Sequence, residues 1–179
     1  MKLTNSEKLI LTMLSEIYEK LGMNDGHNEI DGNFVKSAIQ KNHTWALSWK
    51  YQGIAFDEED QPHEVDEVVN YLDMWDFLEE SAGSLSAADQ AELVERMPGF
   101  AGLPVFKGFD GNNESRYWST ALFMVNHLDS FTRFQGRDLN SHCPLVQRYS
   151  RMYAVFEPIR NRLFGRCLTI DEMVSILNA

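Results

Sequence analysis

The chain has 179 residues, 44% of them hydrophobic and 12% aromatic, which is enough apolar material for one packed domain and excludes an intrinsically disordered chain. Its net charge of −11 at pH 7 and pI near 4.8 argue against non-specific binding to phosphate backbones or anionic lipid, both of which need a positive face. No apolar run is long enough to cross a bilayer, and two cysteines, Cys143 and Cys167, are too few for a disulfide framework, so a reducing, cytoplasmic setting without membrane contact is expected.

The first element is a helix. Leu9, Ile10, Met13, Leu14, Ile17 and Leu21 recur at the spacing of one helical face, Thr4 and Glu7 form a capping box, and Gly22 stops the helix. Lys2, Glu7, Lys8, Glu16 and Glu19 interrupt its apolar residues, so it has no uninterrupted h-region and is not expected to act as a signal segment. A shorter helix follows over 33–41 with Phe34, Ala38 and Ile39, and a third starts near Thr44 with Trp45, Leu47 and Trp49, closed by Gly53. Pro62 suits the first turn of the next helix, whose stripe of Val65, Val68, Val69, Leu72 and Trp75 lies opposite Asp66, Asp73 and Glu80. Ser86 and Asp89 open a helix through Leu93, Val94 and Met97 that Pro98 and Gly99 terminate.

After a Gly- and Pro-containing connection, Asp110 is the expected N-cap of a long helix carrying Trp118, Ala121, Leu122, Val125 and Leu128, with Glu114 in its first turn. Residues 129–143 show no period. Pro144 begins a helix through Tyr149, Met152, Tyr153 and Phe156 that Pro158 is expected to break. The last helix has a second capping box, Thr169 with Glu172, and a hydrophobic staple of Leu168 and Met173. With no alternating strand pattern and no internal repeat, the reading is all-α, seven to eight helices in a single domain over 1–179, with residues 1–56 as a three-helix part of it.

Charge is unevenly spread. Residues 57–80 hold eleven acids and no Lys or Arg, a charge equal to that of the whole chain. Part of this run is the wet face of the fourth helix. Arg148, Arg151 and Arg160, with Arg162 and Arg166, make a basic counterpart near the C-terminus. Asp66, Asp73 and Glu80 are therefore expected to face Arg148, Arg151 and Arg160, within one subunit or between two.

The segments FKGFDGNNESRYWSTALFMVNH at 106–127, QRYSRMYAVF at 147–156 and the terminal LTIDEMVSILNA, with the opening LTNSEKLIL, resemble the YfbU-like family of bacterial proteins. The likeness is close over 106–179, fair over 65–78 and weakest over 25–60. It implies a multi-helical fold, a bacterial cytoplasmic setting and oligomers. It implies no activity, so no catalytic residue is carried over.

No reaction stands out in the residues themselves. A di-iron bundle needs Glu-x-x-His pairs, which are absent; His63-Glu64 lacks the second His of HExxH, and His142, Cys143 and Cys167 make an incomplete zinc set. Neither a metal nor a cofactor is expected. The chain has no G-x-S-x-G, P-loop or G-x-G-x-x-G motif, and Cys143 ahead of Pro144 reads as packing rather than a nucleophile. The polar group with the best claim on a small ligand, bound or hydrolysed, is Asp110, Glu114, Arg116 and Tyr117. Lys36, Lys41 and Lys50 make 32–56 locally positive and suggest a helix-turn-helix alternative, although Trp45, Leu47 and Trp49 leave few polar side chains for base edges and nucleic acid is disfavoured. The leading expectation is a non-catalytic protein that works through contacts with a second copy or another protein.

Overall fold

The structure, a computed structural model, describes residues 3–23, 30–54, 56, 61–97, 99 and 102–179. Among these residues it has eight α-helices, one 3-10 turn and no strand, so the protein is all-α. The chain divides into two compact units, Met1–Pro62 and His63–Ala179. Pro98 and the first four acids of the acidic run, 57–60, lie outside the described residues.

In the N-terminal unit, α1 (Asn5–Lys20) packs on α2 (Gly32–Gln40), and α3 (Trp45–Lys50) follows. Both caps of α1 are built from local chemistry. The Thr4 hydroxyl accepts from the Glu7 N–H while the Glu7 carboxylate accepts from the Thr4 N–H at 2.7 Å. At the other end Gly22 adopts φ +70, which lets the N–H groups of Gly22 and Met23 reach the carbonyls of Glu19 and Tyr18. Asn42, at φ 59, closes α2 in the same way, with the His43 N–H donating to the Ala38 carbonyl at 2.7 Å. Asp31 is the N-cap of α2 and accepts from the N–H groups of Asn33 and Phe34. Phe34, Ala38, Ile39, Trp45, Ala46, Leu47 and Tyr51 form the small core beside a buried His43, whose Nδ1 accepts from the Trp45 indole at 3.2 Å.

The C-terminal unit is arranged around α4 (His63–Ser84), on which α6 (Ser115–His127) and α7 (Val146–Arg160) pack. Helix α8 (Ile170–Leu177) lies on α7, and α5 (Ala87–Glu95) lies against α8. The central position of α4 shows in its burial: Val65, Val68, Tyr71, Leu72, Met74, Trp75 and Leu78 are all inside. Trp75, Phe106, Phe109 and Tyr149 form an aromatic centre with ring separations of 5.6 to 5.9 Å.

Two boundaries differ from the sequence reading. Asp110 is not the N-cap of α6; it folds into a turn, its carboxylate accepting from the Asn112 N–H at 2.9 Å and the Asn113 amide at 2.6 Å, and the helix starts at Ser115. Pro158 does not break α7 but sits inside its final turn, and the helix runs on to Arg160. A proline so close to the end leaves few bonds to lose.

Candidate functional site

The loop ahead of α6 is fixed by close backbone contact. Phe109 and Asn140 form an isolated parallel bridge, with the Phe109 N–H donating to the Leu139 carbonyl at 2.9 Å and the Ser141 N–H to the Phe109 carbonyl at 3.1 Å. Gly108 makes this possible. At φ +83 it lies so near the second segment that a Cβ would fall 1.8 Å from the Leu139 carbonyl oxygen. Tyr149 donates its hydroxyl to the Gly108 carbonyl at 3.1 Å, and burial pushes that phenol well above its ordinary range.

Glu114 joins two helix starts. One carboxylate oxygen accepts from the Val146 N–H at 2.7 Å, at the beginning of α7, and the other from the Asp110 N–H at 3.0 Å. Hydrogen bonds from Asn113 and Asn112 hold the Asp110 carboxyl below its usual range. Tyr117 donates to Glu67 on α4, and its phenol is raised by burial and then by this carboxylate. Arg116 is largely exposed and lies 3.6 Å from the buried Glu64. The four residues singled out for a ligand do share one neighbourhood, beside an open cleft of about 500 Å³ at the starts of α6 and α7. Three of them, Asp110, Glu114 and Tyr117, also make hydrogen bonds within the fold.

The acids of α4 meet arginines of the same unit. Arg160 pairs with Asp73, its Nη2 at 3.3 Å. Arg133 reaches Asp76 at 2.6 Å and Glu80 at 3.8 Å, and Arg137 grips Glu79 through two bonds of 2.8 and 2.7 Å. Of the six residues expected at a charged interface, Asp73 and Arg160 touch each other. Arg148 donates to the Leu177 carbonyl and Arg151 to the Gln147 carbonyl, while Asp66 is exposed on α4. Arg133 and Arg137 escaped the sequence reading because they sit in the aperiodic segment, where nothing signals which helix their side chains reach. A second cleft, of about 610 Å³, has buried Trp75, Phe106 and Tyr149 among its lining and Lys107, Arg137 and Arg148 as its cations.

In the N-terminal unit, Lys36 pairs with Glu16 at 3.0 Å, and Lys50 pairs with Asp31 at 3.3 Å while lying over the Phe34 ring. Lys41 is the C-cap of α2. Two of the three lysines proposed for nucleic acid thus serve local partners. The outlier of this unit is α1. It packs on α2, buries Ser15 and keeps Leu11, Thr12 and Tyr18 half-buried, whereas Leu9, Ile10, Met13, Leu14, Ile17 and Leu21 are between 51% and 69% exposed. An apolar face of that size on solvent is unusual for a folded chain.

Comparison with known proteins bears on all 179 residues: a family model described as the YfbU domain matches residues 1–179. The chain belongs to the YfbU family. Membership includes 25–60, where the resemblance in the sequence is weakest. UPF0304 protein MJECS11 of Methanocaldococcus jannaschii is 32% identical to this YfbU chain over 79 residues, 41% of this chain and 46% of the relative, so the match spans about half of that relative's length. That source does not carry the bacterial setting the resemblance implied. Among the described residues of the YfbU chain no group of three or more His, Cys, Asp or Glu side chains could hold a metal, both cysteines are free and exposed, and no helix is long and apolar enough to cross a membrane.

Proposed function

We propose that this YfbU chain is a non-catalytic cytoplasmic protein that acts through protein contacts and self-association, with the apolar face of α1 as its contact surface. The observation carrying this reading is the exposure of six large apolar side chains on one capped helix. Covering such a face releases ordered water and is favourable in proportion to the area removed, at about 25 cal/mol per Å². The ion pairs on α4 support the same reading from the other side, because they are made within the chain and leave less charge there for a partner. The clustered polar residues Asp110, Glu114 and Tyr117 hold helix starts together in this view, and the chain needs neither metal nor cofactor for its work. Light scattering on the eluting full chain tests it. A mass that is a multiple of 20.6 kDa is expected, and 20.6 kDa at every concentration up to about 0.1 mM would refute it.

A further inference from the structure

Resting on that reading of α1, we infer that its partner is α1 of a second copy, laid antiparallel along the same seam. Ile10, Leu14, Ile17 and Leu21 are spaced by four, three and four residues, the a/d alternation of a two-helix seam, and Met13 and Leu9 widen it on one side. All six are exposed, and no acidic residue interrupts the stripe between them. The seam is therefore complementary to an equally apolar helix rather than to a charged groove.

The area is sufficient. Six half-exposed side chains offering roughly 100 Å² each give about 600 Å² per copy, and two copies reach about 1,200 Å², the lower bound for specific interfaces. A helix of 16 residues is about 24 Å long, enough for the whole seam to pair with itself.

The helix dipoles select the orientation. The first turn of α1 carries Glu7 with Lys8 and its last turn Glu19 with Lys20, so neither end has a net side-chain charge. In an antiparallel pair the helix dipoles oppose; in a parallel pair they gather. Placing a before d of the other copy sets Leu14 against Ile17 of the second chain and Ile10 against Leu21, so every seam residue meets another. A two-fold axis relates the chains, and the contact uses the same patch on both.

Single cysteines read this arrangement directly. With Cys143→Ser and Cys167→Ser as background, a tagged Leu14→Cys chain mixed with untagged Ile17→Cys is expected to form a heterodisulfide under mild oxidation, and Ile10→Cys with Leu21→Cys likewise. Leu14→Glu with Ile17→Glu should weaken association at least about 100-fold, and because both side chains are exposed the single chain keeps its fold. An Ile10→Cys homodisulfide would mean parallel helices and overturn the inference. So would a multimer in which neither mixture cross-links, which leaves self-association standing without α1 paired to its own copy. A monomer whose seam cysteines react slowly with maleimide places the occupant in the same chain and overturns both.

Discussion

Gly108 is the residue on which the C-terminal unit most plainly depends. Its left-handed backbone and its contact with Leu139 leave no room for a methyl group, so Gly108→Ala should cost at least about 3 kcal/mol in urea unfolding. Nothing in the local spelling, FKGFDG, reveals the contact, because the partner lies thirty-one residues downstream in a segment with no period. Glu172 is the opposite case, a role that the sequence announces. Its capping box with Thr169 was expected from spacing alone, and the structure adds Arg166, whose guanidinium grips both carboxylate oxygens at 2.7 Å. Arg166 first, and then the hydrogen bonds of the cap, lower the carboxyl from 4.5 to about 2. A carboxyl whose folded value is depressed stabilises the fold fully above its unfolded value and loses that contribution as pH falls through the folded one. Stability should therefore decline between about pH 4.5 and pH 2 through this group, and Glu172→Gln should flatten that part of the pH profile in thermal melts.

At the scale of elements, caps and stripes made the helices legible. Thr4, Ser86 and Thr169 each cap the helix that the pattern placed after them, and all-α follows. The start of α6 was less legible because Asp110 has the chemistry of an N-cap but uses it in an Asx-type turn, while Glu114 takes the capping position. Residues 129–143 were illegible for a different reason. Phe131 and His142 take left-handed backbone without being Gly, Asn or Asp, so the residue at those two positions gives no turn signal. That same stretch carries Arg133 and Arg137 onto the acids of α4. The Glu79 side chain is only 10% exposed and also accepts from the Phe106 N–H, so losing its cation strands a charge. Arg137→Met should destabilise the fold by about 2 kcal/mol, a figure discounted because Arg137 itself is one-third exposed, and Glu79→Gln on top should restore part of it.

At the scale of the whole molecule, an acidic chain has settled much of its charge internally and left an apolar helix face outside. Periodicity identified that face, since six residues at helical spacing can mean little else, but periodicity says only that something must cover it, never what. Sequence reasoning expected the conspicuous eleven-acid run to meet arginines within one subunit or between two, and five of those acids lie against arginines of the same unit. Complementary charges close together within a unit orient and lock it, and apolar area exposed on a rigid helix drives association.

Sedimentation equilibrium of the wild-type chain beside the Leu14→Glu, Ile17→Glu variant puts this to the most direct test. The wild type should sediment as a multiple of 20.6 kDa and the variant near 20.6 kDa with an unchanged far-ultraviolet spectrum. Equal masses for the two proteins, whether both monomeric or both assembled, would contradict the assignment of α1 as the surface that joins the copies.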